Sequence, residues 1–266
     1  MTILEEIISG KKKEVAERKR HTSLGYLENS MFFSRETLSL RQSLRDEAKT
    51  GIIAEFKRKS PSKGVINSLA DVSHITTGYA REGASGLSVL TDSKFFGGSI
   101  DDLLIARKFN SIPVLRKEFI IDEFQVVESK ASGADAILLL AAVLEKEEIN
   151  RFARLSHSLG MEVILEVHSM SELELINEQI DIIGVNNRDL RTFSVDINVS
   201  VKIAEKIPEQ FLKISESGIS LASAVSYLRR VGYDGFLIGE HFMKTEDPVS
   251  AFSSFINEIK SGNVKD

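Results

Sequence analysis

The strongest constraint on this chain's fold is an alternation of short apolar runs and helical segments, repeated eight times after residue 50. Runs rich in Ile, Val and Leu lie at 52–57, 86–91, 112–117, 136–141, 162–167, 181–186, 211–216 and 235–239. Their nearly continuous apolar character suits parallel strands buried on both faces. Helical periodicity fills the intervals, for example at 122–132, 146–159 and 221–231. Alternation of this kind predicts an α/β fold with a parallel sheet. Gly83-Ala84-Ser85-Gly86, Gly133-Ala134-Asp135-Ala136 and Gly232-Tyr233-Asp234-Gly235 each stand between a helix and the next run, a weak internal repeat built on a glycine helix stop. Eight such units predict a closed (β/α)₈ TIM barrel rather than an open doubly wound sheet. No Gly-x-Gly-x-x-Gly follows the first run and no Walker A sequence occurs.

Residues 1–50 read as a helical N-terminal extension. Ile3, Leu4, Ile7 and Ile8 share one helical face, and Leu38, Leu40 and Leu44 suggest a second amphipathic piece. No Pro- or Ser-rich linker divides the region after residue 50, so residues 1–266 are expected to form one barrel domain carrying that extension. The length fits, because α/β barrels of roughly 200–250 residues commonly form one domain.

The net charge of −5 gives no basic excess to recommend a nucleic-acid partner. The basic cluster Lys11-Lys12-Lys13 with Arg18-Lys19-Arg20 is interleaved with Glu5, Glu6, Glu14 and Glu17, and reads as a solvated helix face. No stretch approaches the roughly 20 apolar residues of a membrane span, and no signal-like segment follows the start, so a cytoplasmic protein is expected. Cysteine is absent, which removes disulfides, thiolate metal sites and thiol nucleophiles. The histidines form no metal-binding pair, and no metal site is expected.

Side chains alternate along a strand. Ile53, Glu55 and Lys57 therefore share a face, as do Pro113, Leu115 and Lys117; Glu162, Ile164 and Glu166; Ile182, Gly184 and Asn186; and Leu212, Ile214 and Glu216. In each set the last residue is polar and lies at the carboxyl end, where barrels of this class open their active sites. One such charge is explained by a rim ion pair. Five strands ending alike point to a cleft, since burying an unpaired ion costs several kcal/mol and the ring must be paired or neutralised by a ligand.

Ser217-Gly218 follows the seventh run and Gly239-Glu240 ends the eighth. The loops after strands seven and eight often hold phosphate through backbone N–H groups, and both glycines would let the chain approach closely. Ser217 and Ser220 are also ordinary helix caps. A carboxylate near phosphate is repelled, so Glu240 is expected to offer its backbone N–H while its side chain turns outward. Phe95-Phe96 is either core or a cover for an aromatic substrate, and Phe119 reads the same way. The segment 58–68 is a lid over an anion or a plain solvated loop. His168 ends the fifth run at the mouth or just behind it.

These motifs resemble one family. Ile53-Ala54-Glu55-Phe56-Lys57 running through Ser60-Pro61-Ser62-Lys63-Gly64 is similar to the signature of indole-3-glycerol-phosphate synthases of tryptophan biosynthesis. The likeness continues in order through Phe95-Phe96-Gly97-Gly98, Leu115-Arg116-Lys117-Glu118-Phe119, Glu166-Val167-His168, Asn186-Asn187-Arg188-Asp189-Leu190, Ser215-Glu216-Ser217-Gly218 and Ile238-Gly239-Glu240. It spans residues 51 to about 245, with departures at Glu240, where many members have Ser, and at Thr91-Asp92-Ser93-Lys94. Some relatives are fused to a second pathway enzyme, for which this length leaves no room.

The resemblance implies conversion of 1-(2-carboxyphenylamino)-1-deoxyribulose 5-phosphate into indole-3-glycerol phosphate, carbon dioxide and water, without a cofactor. It implies Lys117 as general acid for ring closure, with its pKa lowered by apolar and cationic neighbours. Lys57 would neutralise the substrate carboxylate or assist dehydration, and Glu55 and Glu166 would be acid–base groups in an undecided order. Asn186 and Glu216 would orient hydroxyls and the lysines. Ser60, Arg188, Ser217, Gly218, Gly239 and Glu240 would hold phosphate or other polar parts, and Phe96, Phe119, Leu138 and Leu190 would cover the aryl ring. A monomer is implied. Two readings compete. A phosphoribosylanthranilate isomerase on the same fold would be expected to use a cysteine/aspartate pair, and this chain has no cysteine. A non-enzymatic phosphate-binding barrel predicts broken catalytic positions, and here every one is filled.

Overall fold

In a computed structural model, which describes residues 2–261, the eight runs are eight parallel strands. They are β1 (Ile52–Phe56), β2 (Gly86–Leu90), β3 (Val114–Lys117), β4 (Ala136–Leu140), β5 (Glu162–Val167), β6 (Ile182–Asn186), β7 (Leu212–Glu216) and β8 (Gly235–Ile238). Neighbours in sequence pair in order. β8 returns to β1 in the register Ile52↔Phe236, closing the (β/α)₈ barrel. β3 starts later than its apolar run because Pro113 has no N–H for the ladder, although its carbonyl still accepts from Leu87 at 2.9 Å.

The glycine repeat is one recurring helix stop. Gly83, Gly133 and Gly232 have φ of 94°, 87° and 101°. The next amides, of Ala84, Ala134 and Tyr233, reach back to the carbonyls of Tyr79, Ser129 and Leu228, as a left-handed glycine cap allows. Strict alternation fails once: β5 and β6 are joined by a single 3₁₀ turn, Ser171–Leu175. Among the described residues no helix is long and apolar enough to cross a membrane.

The parity expected from sequence holds. Ile53, Leu115, Ile164, Ile182, Leu212 and Ile214 fill the barrel interior with residues of β4 and β8. The extension is not helical throughout. It forms α1 (Ile3–His21), α2 (Leu24–Glu28) and α3 (Leu40–Arg45), joined by turns and extended chain. Leu38 lies before α3, its amide bonded to Asp135 at 2.8 Å. Leu40 and Leu44 of α3 join the interior cluster. A Cβ placed on Gly86 or Gly235, the first residues of β2 and β8, would come to 2.7 Å from Leu40 or Leu44 respectively. The helix α3 therefore seals the amino end of the barrel and leaves the carboxyl end open.

That seal predicts a stability effect with no change at the mouth. Leu40→Ala should cost about 2–5 kcal/mol, read as a lowered urea midpoint, because the closed floor cannot collapse into the void. An unchanged midpoint would show that α3 does not plug the barrel.

Candidate active site

A cavity of about 520 Å³ opens at the carboxyl ends of the strands, and every residue to which the family resemblance gave a site role lines it, while Phe95 and His168 do not. At its centre is Lys117, the last residue of β3. Its Nζ lies 2.6 Å from Glu166 Oε2 on β5 and 2.5 Å from Glu216 Oε2 on β7. Asn186, ending β6, donates to the other oxygen of Glu166 at 2.9 Å and accepts the Arg188 amide at 3.0 Å. On β1, Lys57 Nζ lies 2.5 Å from Glu55 Oε1. The mouth therefore holds two lysine–carboxylate groups, one on β1 and one across β3, β5 and β7.

Two glycines make room for these carboxylates. A Cβ on Gly184 would sit 2.5 Å from Glu216 Oε1, and one on Gly239 would sit 2.5 Å from Glu55 Oε1. Side chains at either position would push the acids out of the mouth.

The charges differ from the expectation for Lys117. Burial alone would lower its pKa, but Glu166, Glu216 and Glu55 outweigh burial and raise it above the ordinary lysine value. The lowered pKa fails because the neighbours of Lys117 are carboxylates, while the other cation, Lys57, is engaged by Glu55. Glu166 stays well below the usual carboxyl range: burial opposes its charge, but Lys117 and His168 favour it. Glu216 is pushed up to about 7, by burial first and by the charges of Glu166 and Glu55, against the pull of Lys117.

One side of the cavity is apolar. Phe96 and Phe119 pack with ring centroids 6.0 Å apart, and Leu138 and Leu190 continue the wall. Of the phenylalanine pair, Phe96 lines the cavity and Phe95 instead lies under the Lys94 ammonium. The other end is cationic. Arg188 reaches the Glu240 carboxylate at 3.4 Å and Ser62 at 3.4 Å, and Lys63 and Lys244 also line the cavity. Ser217 and Gly218 both have left-handed φ, 66° and 75°, and Asn187 pins the turn by donating to the Ser217 carbonyl at 3.1 Å. A non-glycine residue held at positive φ marks a loop fixed by its surroundings. Gly239 precedes the one-turn helix Glu240–Met243. The Glu240 side chain does not turn away as expected; it is drawn to the guanidinium of Arg188.

The segment after β1 is not a plain solvated loop. Lys59–Ser60 pairs with Gly64–Val65 as a small hairpin. Its base is clamped by Arg58, whose guanidinium binds both oxygens of Asp102 at 2.6 and 2.9 Å. Ser60 is buried in the hairpin, accepting the Lys63 amide at 3.3 Å.

Sequence reasoning missed the contribution of α1. Ile3, Leu4 and Ile7 line the cavity. Lys11, placed on a solvated face by its charged neighbours, is only 1% exposed. Its Nζ lies 2.9 Å from Asp92, 3.0 Å from Glu118 and 2.9 Å from Glu14. Asp92 caps the turn that presents Phe96, and Glu118 follows Lys117. Arg116, on the other side of Lys117, is fully buried against Glu128, Ser129, Gln125 and Thr91. The rest of the basic cluster fits the surface reading better; Arg20 and Lys19, for example, make exposed pairs. The alternation of Lys with Glu along α1 was the visible signal, but it does not say which charge faces inward.

A closed parallel barrel with charged strand ends around a deep mouth defines a (β/α)₈-barrel enzyme. Solved structures agree on the fold: tryptophan synthase subunit alpha from Legionella pneumophila superposes with a TM-score of 0.59 at 16% identity, covering 84% of this chain and 95% of that one. The 3-hexulose-6-phosphate synthase of Salmonella typhimurium gives 0.59 at 15% identity, over 78% and 99%. The sequence model described as "Indole-3-glycerol phosphate synthase" matches residues 4–255, and the chain belongs to that family. Proteins so named from Bacteroides thetaiotaomicron and Thermoanaerobacter pseudethanolicus are 46% and 41% identical, covering 97% and 98% of this chain and 99% of each relative.

The raised Glu216 makes a prediction about pH. From the ordinary carboxyl value of 4.5 to about 7, folded Glu216 keeps a proton that the unfolded chain has lost. Its contribution to stability is therefore fully present below 4.5 and is lost as pH rises through about 7. Glu216→Gln, which cannot ionise, should remove that decline, so urea midpoints measured across this window should diverge in favour of the variant. Parallel pH curves would show that Glu216 titrates as an ordinary carboxyl.

Proposed function

We infer that this barrel converts 1-(2-carboxyphenylamino)-1-deoxyribulose 5-phosphate into indole-3-glycerol phosphate, carbon dioxide and water, the reaction of the family to which it belongs. The observation that carries the reading is the position of Lys117, charged and held by two carboxylates between an apolar wall and a cationic end. The wall of Phe96, Phe119, Leu138 and Leu190, with Ile3, Leu4 and Ile7 of α1, suits the aryl ring. Arg188, Lys63 and Lys244, with the backbone at Ser217-Gly218 and Gly239-Glu240, suit the phosphate. Bound phosphate would take Arg188 from Glu240.

Ring closure joins the carboxyl-bearing aryl carbon to the ketone carbon, and the ketone oxygen takes a proton from Lys117. The oxyanion forming there is a stronger base than an amine, so a lysine with a raised pKa remains an effective donor. Glu216, which holds a proton up to about pH 7, stands 2.5 Å away to restore it. Loss of carbon dioxide leaves its bonding electrons to the ring, which regains aromaticity. The new hydroxyl then departs as water, which requires one proton delivered to it and one taken from the substrate. Lys57 and Glu55 supply an acid and a base 2.5 Å apart, separate from the Lys117 group, and we assign dehydration to them. Lys57 also faces the substrate carboxylate before it is lost, and Glu166 with Asn186 fixes Lys117. The net charge of −5 gives no basic excess for a nucleic-acid partner, and the family resemblance supports a monomeric cytoplasmic enzyme.

Incubation of the purified protein with the substrate should yield indole fluorescence and carbon dioxide in equal amounts, and no product from fresh substrate would end this reading. Lys117→Ala should still bind substrate but turn over at least about 10²-fold more slowly, the loss typical of a positioned general acid. Near-normal turnover would remove Lys117 from that role.

A further inference from the structure

His168 stands one residue beyond β5, on the parity of Glu166, with its side chain 11% exposed. Its Nε2 is 3.2 Å from Glu166 Oε1, and its Nδ1 is 3.6 Å from Glu172 Oε2. Glu172, in the 3₁₀ turn after β5, is fixed by accepting the His168 backbone amide at 2.6 Å. The groups that face the ring are these two carboxylates; beyond Glu166 stand Lys117 of β3 and Asn186 of β6.

A neutral imidazole carries one N–H and one lone pair. Neither ring nitrogen makes a hydrogen bond, so the two carboxylates act on the ring through charge, and a neutral ring would leave both without that counter-charge. An imidazolium supplies that charge, 3.2 Å from Glu166 and 3.6 Å from Glu172. Burial disfavours that cation, but Glu166 and Glu172 outweigh burial and push its pKa up to about 10. Glu166 therefore takes hydrogen bonds from Lys117 on Oε2 and Asn186 on Oε1, with the His168 ring as an ion-pair neighbour of Oε1.

We propose that His168 is a positioning residue for the reaction: as an imidazolium bridging Glu172 and Glu166, it holds the Glu166 carboxylate ionised and aimed at Lys117. The proposal rests on the reaction assigned above, but its structural half can be tested without turnover. Removing the cation makes Glu166 easier to protonate, so the acidic limb of the pH profile of kcat/KM should move to higher pH.

The test combines an NMR titration of the His168 imidazole with pH profiles of two variants. In the unaltered enzyme the ring should stay charged well above the ordinary histidine value of 6.5. Glu172→Gln leaves the pocket residues in place and should lower the His168 titration. His168→Gln should shift the acidic limb upward, with kcat reduced by less than the roughly 10²-fold loss of a positioned acid or base. His168→Arg, which keeps a cation, should move the limb back. Should His168→Gln fail to fold, Glu172→Gln gives the same two readouts. A titration at the ordinary value, or variant profiles that superpose on the parent, overturns the proposal. If the protein has no synthase activity, the NMR titration still decides whether the imidazolium bridge exists.

Discussion

The contact on which the mouth of this barrel depends is the ammonium of Lys117 between the carboxylates of Glu166 and Glu216, at 2.6 and 2.5 Å. Three buried ionisable groups from β3, β5 and β7 are tolerable together because Lys117 compensates Glu166 while Glu216 keeps its proton up to about pH 7. Remove the lysine, and two carboxylates face each other in a site with little water. Remove either acid, and the lysine loses part of what holds its charge. Gly184 and Gly239 serve this arrangement by being small where Glu216 and Glu55 must fit. The raised pKa of Glu216 comes from the same crowding, since one lysine does not fully satisfy two acids at once.

The extension completes the site from behind. Lys11 of α1 ties together the segments following β2 and β3, through Asp92 and Glu118, on one side of Lys117. Arg116 extends the same network, 3.7 Å from Glu118, and joins β3 to Glu128, which also receives Arg18 of α1. Ile3, Leu4 and Ile7 then bring the apolar face of α1 to the cavity. At the opposite end of the barrel, Leu40 and Leu44 of α3 close the floor. One extension therefore shapes both ends, and the catalytic end is built on a rigid frame of buried ion pairs and packed aliphatics rather than on loops alone.

Much of this was legible in the sequence, because a strand's period of two and a barrel's packed interior are strict rules. Ile53, Leu115, Ile164 and Ile214 declared the inner face, and Glu55, Lys117, Glu166, Asn186 and Glu216 fell on it without any distant information. The long motif from Ile53 to Gly64 added the chemistry. The hidden part depends on contacts between distant residues. Lys117 meets Glu166 and Glu216 across 49 and 99 residues, so its environment could be guessed as cationic when it is anionic. Lys11 carries the same charge as Lys12 and Lys13, and only the packing of α1 against the barrel decides which one is buried. The outward turn expected for Glu240 considered the repulsion of a phosphate but not the attraction of Arg188.

The charge state of Lys117 is read most directly by a ¹⁵N NMR titration of its side-chain nitrogen in the unliganded enzyme. The ammonium should persist through neutrality and beyond the ordinary lysine value of 10.5, held by Glu166 and Glu216. Loss of its proton near neutral pH would contradict the account, because Lys117 would then be held by burial rather than by its two carboxylates.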